Sequence, residues 1–192
     1  MDYTLLNEER AKQVRERFES TFIETPEEYI ASALKWREEY FSNNPNAHVY
    51  PIPNYDKVVY WSKIKCYEEI SFTDALSFLS KTDNDVYFMS DPELEGYFGM
   101  HLLNWDSNSI GFVAVHNAPK EFAEFIYDEW KRSYTVDYEN EEEWFDPLLP
   151  DDLYVFDESF SWMLVFTHHN VDDFAPDRVE NSYNRLCFLL RA

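Results

Sequence analysis

Glycine is nearly absent. Gly96, Gly99 and Gly111 are the only three in 192 residues. A loop that cradles phosphate needs several glycines close together, so that backbone N–H groups can approach the ligand. Neither GxGxxG nor GxxxxGK[ST] occurs, which argues against a P-loop or a standard dinucleotide-binding site. Basic residues are scarce as well. Sixteen Lys and Arg stand against 38 Asp and Glu, for a formal net charge of −22. Direct nucleic-acid binding needs a basic stripe, because counterion release drives it, and none is visible. Anionic lipid is repelled on the same ground. The natural partner of such a surface is a basic protein, met by fast, salt-sensitive association.

Cysteine is limited to Cys66 and Cys187. Two are too few for a secreted disulfide framework or a CxxC metal site. Both lie in apolar, strand-like contexts, YWSKIKCYEEI and NRLCFLL, where a cysteine is expected as a small buried core residue. A disulfide between them is the alternative. Long apolar runs are missing too. The longest, such as Trp162 to Phe166, fall far short of the roughly 20 residues that span a bilayer. The opening MDYTLLNEER has no basic stretch followed by an apolar core, so no signal peptide, no membrane association and a cytoplasmic location are expected.

Aromatic residues, by contrast, make up 19% of the chain, with fourteen Tyr and six Trp. These suit half-buried positions, ring packed and polar tip in water. A chain of this length buries about 70% of its unfolded surface, enough for a substantial core. Residues 5–20 read as a polar helix with a thin apolar stripe of Leu6, Val14 and Phe18. Residues 25–41 read as a stronger helix. Thr25 can cap it, Pro26 fits the first turn and Glu28 completes a capping box. Tyr29, Ala33, Trp36 and Tyr40 line one face, with Ile30, Leu34 and Phe41 beside them. The cluster Ser42-Asn43-Asn44-Pro45 should end it.

Further on, residues 45–56 read as a loop and Val58 to Ile64 as a strand. Ser71 starts a short helix running to about Ser80. Val86 to Met89 and Ile110 to His116 read as strands, and 91–109 fits no element. Ala118 to Tyr134 is helical, with Phe122, Phe125, Ile126 and Trp130 as its stripe. Leu153 to Phe156 and Phe160 to Thr167 form a hairpin. Ser182 to Leu190 closes the chain as a strand or a short helix. The expected fold is α+β: a mainly antiparallel sheet, with N-terminal helices and two further helices packed on one face. One domain spans 1–192, and residues 1–44 are its helical N-terminal part.

Charge is unevenly spread. Between Arg132 and Arg178 lie 45 residues with 13 acids and no Lys or Arg. Between Lys81 and Lys120 lie 38 residues with six acids and no Lys or Arg. The first helix instead mixes both signs, as a solvated helix does. The densest acidic run is Tyr138 to Asp146, followed by Pro147 to Asp152. Most such runs are solvated loops. Here Trp144 and Phe145 interrupt the acids, and an aromatic anchor ringed by carboxylates suits a Lys/Arg surface. Glu141, Glu142, Glu143, Asp146, Asp151 and Asp152 are therefore expected to steer a basic partner, with Trp144 as anchor. The EF-hand pattern is absent, and no metal or cofactor is expected.

Catalytic signals are thin. His168 and His169 are adjacent in a strand and should point to opposite faces. A composite site of His116, His168 and Asp157 is geometrically conceivable, against the plainer account of hydrogen-bonded histidines at strand ends. No GxSxG elbow appears. Paired carboxylates arise by chance among 38 acids. Cys66 has Lys63 and Lys65 nearby, which is what a lowered thiol pKa would need.

The segment Leu153-Tyr154-Val155-Phe156-Asp157-Glu158-Ser159-Phe160-Ser161-Trp162, ending in Val165-Phe166-Thr167-His168, resembles a C-terminal hairpin of small acidic bacterial proteins. Several of these look like immunity proteins of toxin systems. In that pattern an acid follows the Thr-His pair, where this chain has His169. Alternating aromatics on a buried hairpin are also what a sheet core requires. The resemblance implies an intracellular inhibitor of a toxin domain, often a nuclease, whose basic substrate-binding surface the acidic protein covers. The composition alone points to the same kind of partner. Two other functions fit the sequence. A phage-encoded DNA mimic would display carboxylates at phosphate-like spacing. An enzyme or ligand-binding domain would need a deep pocket lined by Trp61, Trp105 or Trp162.

Overall fold

The computed structural model describes residues 2–48, 51–90, 113–116, 118–135, 149–150, 152–170 and 185–192. A short strand, β1 (Asp2–Leu5), precedes α1 (Glu8–Phe22) and α2 (Pro26–Asn43). The Asn7 side chain caps α1 by accepting from the Arg10 N–H at 2.9 Å. Thr25 and Glu28 form the expected capping box: the Thr25 hydroxyl accepts from the Glu28 N–H, and the Glu28 carboxylate accepts from the Thr25 N–H. Then follow β2 (Glu68–Ile70), α3 (Phe72–Leu79, capped by Ser71), β3 (Val86–Ser90), β4 (Val113–His116), α4 (Pro119–Thr135), β5 (Leu153–Asp157), β6 (Trp162–Asn170) and β7 (Arg185–Arg191). The fold is α+β. Its strands form one sheet in the order β1-β4-β3-β5-β6-β7-β2, and every described pairing is antiparallel.

The sheet is covered on both faces, not on the single face expected. Val86, Phe88, Val155, Leu164 and Phe166 point to one side, where α3 and α4 lay down Phe72, Leu79, Phe122, Ile126 and Trp130. Tyr87, Met89, Tyr154, Phe156, Met163 and Val165 point to the other side, against Val14, Phe18 and Phe22 of α1. This is the period-2 alternation of a strand, with both sets of side chains apolar. It explains why VYFM, LYVF and WMLVF read as unbroken apolar runs.

Two other expectations are corrected. Val58 to Ile64 is not a strand. It holds a 3-10 turn at Tyr60–Lys63, and Ile64 makes only an isolated bridge to Ile23. The segment lies across the α1 face, where the Trp61 N–H donates to the Tyr154 hydroxyl at 2.8 Å and the Trp61 ring tilts onto Phe188. Its aromatic, β-branched composition serves packing, not pairing. Cys66 is exposed and Cys187 is buried, and both are free thiols. The sequence between Ile64 and β2 turns outward at Cys66, which takes it out of the core.

Candidate functional site

Among the described residues, the second helix is anchored at its first turn. The Glu24 N–H donates to the Lys63 carbonyl and the Lys65 N–H to the Phe22 carbonyl, each at 2.8 Å. Tyr55 stands under the first turn, its hydroxyl donating to the Glu24 carbonyl at 2.6 Å and its ring meeting Tyr29 edge-on. Lys63 is buried there. Its ammonium donates to the Tyr55 carbonyl at 3.1 Å and lies over the Tyr55 and Tyr60 rings. Tyr29 is the one buried residue of α2.

From Ile30 to Asn43 no residue of α2 is buried, yet this stretch carries large apolar side chains. Ile30 is 47% exposed, Leu34 46%, Tyr40 41% and Trp36 64%. Trp36 and Tyr40 are stacked, ring centroids 5.1 Å apart. At 100° per residue these side chains, with Ala33 and Phe41, cover an arc of roughly 160°. Scattered exposed apolar residues need no explanation, but a contiguous set on one helix face is a candidate interaction surface.

A second constellation sits at the edge of the sheet. His116 Nδ1 is 2.8 Å from an Asp85 carboxylate oxygen, and its Nε2 is 2.9 Å from the Thr4 hydroxyl. Hydroxyl, imidazole and carboxylate stand in the order that activates nucleophiles. Here the three lie on or beside β1, β4 and β3, and they tie the four-residue edge strand to its neighbours. Close by, the turn between β5 and β6 wraps around Asp157. Its buried carboxylate accepts from the Ser161 N–H at 2.7 Å, the Trp162 N–H at 3.1 Å and the hydroxyls of Ser159 and Ser161. Burial by itself would raise the Asp157 pKa, but these donors together outweigh it and hold the carboxyl below its ordinary value. Phe160 takes a left-handed φ of 62° in this turn, and its ring is buried under the Arg17 guanidinium, 4.4 Å from the centroid. Arg17 also donates to the Ser159 carbonyl at 2.8 Å. Arg10 donates to the Tyr87 hydroxyl at 3.1 Å and lies 3.6 Å from Glu158.

The sequence-predicted site residues fall as follows. Glu141, Glu142, Glu143, Trp144, Asp146 and Asp151 lie outside the described residues, as does Trp105. Asp152 is described and is 1% exposed. Its carboxylate accepts from the Trp61 indole N–H at 3.2 Å, so it faces inward and not toward a partner. The composite of His116, His168 and Asp157 is not assembled. Val86 pairs with both Val115 and Asp157, which puts His116 and Asp157 at one end of the sheet. Phe166 pairs with Leu153, and Leu153 with Ser90, so His168 belongs to the opposite end. Trp61 and Trp162 cannot line one pocket either, because they pack on opposite faces of the sheet. Lys63 is turned into the core, and Lys65 donates to the Ser20 carbonyl at 2.6 Å. Among the described residues no group of three His, Cys, Asp or Glu could hold a metal ion, and no helix is long and apolar enough to cross a membrane.

The sequence reading missed the α2 surface, although its signal was present: an apolar arc much wider than one core-facing stripe. Compared with protein-family models, with curated proteins and with solved structures, the chain gives no significant match to any of them.

Proposed function

We propose that this protein is an acidic protein-binding inhibitor of the immunity type. In this reading it neutralises a basic, nuclease-type bacterial toxin by covering its active or substrate-binding surface. The observation that carries the reading is the charge of −22, concentrated where Trp144 and Phe145 interrupt the acids. A toxic nuclease is basic because it must grip phosphate, and an acidic protein can occupy that grip and exclude the substrate. The exposed apolar face of α2 supports the same class of function, because large bare aromatics on a rigid element are the usual anchors of an interface.

The test is affinity capture by the full chain at low and at moderate salt, with captured proteins identified by mass spectrometry and binding kinetics measured on the purified pair. A single basic partner retained at moderate salt is the expected result. Neutralising Glu141, Glu142, Glu143, Asp146 and Asp151 together should slow association and flatten its salt dependence, while Trp144→Ala should speed dissociation. Capture of a DNA-handling host enzyme instead would replace the immunity reading with the DNA mimic. Absence of any specific protein in either wash would remove both.

A further inference from the structure

We propose that the outer face of α2, formed by Ile30, Leu34, Trp36 and Tyr40, is the docking surface for an apolar ridge of a basic partner whose Lys or Arg side chains flank that ridge at both ends. This rests on the acidic-inhibitor reading and deepens it, since it names a contact surface that the acidic run does not include. Three observations carry it.

The face is preset for binding. Trp36 and Tyr40 already stack on each other, so little side-chain freedom is lost when they are covered. The first turn is fixed by the capping box and by Tyr55, and from Ile30 to Asn43 no residue of the helix is buried.

Charge specifies the occupant. Glu27 and Glu38 border the face along its Ile30–Leu34 edge, and both are exposed. They are 11 residues apart, about 16 Å along the helix. Glu28 and Glu39 add to the same field from the reverse side. Of the two cations in α2, Lys35 sits away from the apolar arc, and Arg37 falls within it, half-buried, with its guanidinium over the Phe41 ring, 5.9 Å from the centroid. Basic groups about 16 Å apart, with apolar side chains between them, fit this pattern.

A second copy of the chain fits poorly. Each copy carries −22, so two copies repel. An 18-residue helix is about 27 Å long and presents roughly 300 Å² on one face. A stable interface needs about 800 Å² per partner. An oppositely charged partner adds the long-range attraction that a like-charged copy lacks.

The experiment uses the full chain and two fluorescent 18-residue helical peptides. One carries leucines along one face with lysines at both ends about 16 Å apart. The other keeps the lysines and replaces the leucines with serines. Binding is read by anisotropy at low salt, and deuterium uptake over residues 30–43 is followed with and without peptide. The proposal expects the leucine peptide to bind about tenfold more tightly than the serine peptide, as truncating one interface anchor typically does, and to slow exchange over 30–43. Trp36→Ala should remove most of that preference. Leu34→Glu should remove it too, although it adds an acid, and an unchanged melting temperature shows that both variants fold. Equal binding of both peptides, tightened by Leu34→Glu, would mean that charge alone attracts cations; the acidic-inhibitor reading would then survive and the α2 docking site would not. Failure of both peptides to bind would overturn both. A wild-type dimer at micromolar concentration that Leu34→Glu dissociates would assign the face to a second copy and overturn the proposal.

Discussion

α1 and α2 follow one another in the chain, have similar lengths and both start at a side-chain cap. Their fates are opposite. α1 has four apolar residues in fifteen, Ala11, Val14, Phe18 and Phe22. These fall within an arc of roughly 80°, and the last three are buried. α2 has eight apolar residues in eighteen, Tyr29, Ile30, Ala31, Ala33, Leu34, Trp36, Tyr40 and Phe41, and buries one of them. The less apolar helix is therefore the one in the core. Apolar content does not decide burial here. Phe18 meets Phe156 at 5.0 Å and Phe22 at 5.6 Å. The surplus on α2 stays exposed among the described residues.

The same truncation made on each helix breaks or confirms this contrast, and it should give the largest effect. Phe18→Ala leaves a cavity among aromatic rings and should cost about 3–5 kcal/mol. Trp36→Ala touches an exposed face and should cost under about 0.5 kcal/mol. Urea unfolding of the two variants measures both. A cost above about 2 kcal/mol for Trp36→Ala would mean that the α2 face is part of the folding core.

The far end of α1 leans on the Asp157 turn, and the foot of α2 does not. Asp157 is held below its ordinary value in the folded chain. Its contribution is therefore fully present above the unfolded value of 3.8 and is lost as pH falls through the lower folded value. Asp157→Asn should cost about 2 kcal/mol at neutral pH, the usual worth of hydrogen bonds to a charged group. It should also remove the part of the acid sensitivity that lies below pH 3.8. Urea melts of wild type and variant at pH 7 and pH 3 test this. An equal difference at both pH values would show that the turn does not depend on the charge of Asp157.

Much of this architecture was legible in the chain because local rules and tertiary packing agree. Thr25-Pro26-Glu27-Glu28 specifies a capping box, and the box forms. Ser71 caps α3, and Phe122, Ile126 and Trp130 fall on the stripe that packs. Where one physical signal has two outcomes, the reading failed. The runs VYFM and LYVF read as strands, and both alternating sets of their side chains are apolar, which is the mark of a sheet covered twice. VVYWSKI has strand composition, but its rings pack edge-on to Tyr154 and tilted onto Phe188, and tertiary packing overrides propensity. Asp152 belongs to an acidic run in sequence but is drawn inward by the Trp61 indole, and nothing local to it signals that. The α2 face was seen as an apolar stripe. Only exposure separates a stripe that packs from one that does not.

If α2 is held only at its foot, its cap should matter locally and not globally. Thr25→Ala removes an acceptor for one orphan N–H and should cost about 1 kcal/mol of helix stability. Amide exchange should quicken along α2 while exchange in β5 and β6 stays as in wild type. Asn7→Ala, the matching change on α1, should instead appear in the global urea melt, because α1 cannot loosen without opening the core. Equal global losses for the two caps would join α2 to the cooperative unit.

The smallest expected effect is the most telling. Burial pushes the Cys187 thiol up to about 12, so in the folded chain it is both shielded and un-ionised at neutral pH. Cys66 is exposed and takes up a thiol reagent first. After Cys66→Ser, slow labelling at Cys187 reports opening of the sheet between its two helical covers. Phe18→Ala should accelerate that labelling strongly: Cys187 packs on the α3/α4 face, and a cavity on the α1 face lowers the stability of the sheet as a whole. Trp36→Ala should leave the rate unchanged within error, even though it removes the largest exposed ring of α2. An accelerated rate for Trp36→Ala would mean that the α2 surface communicates with the sheet. Binding there would then stiffen the whole fold, not only the helix that is touched.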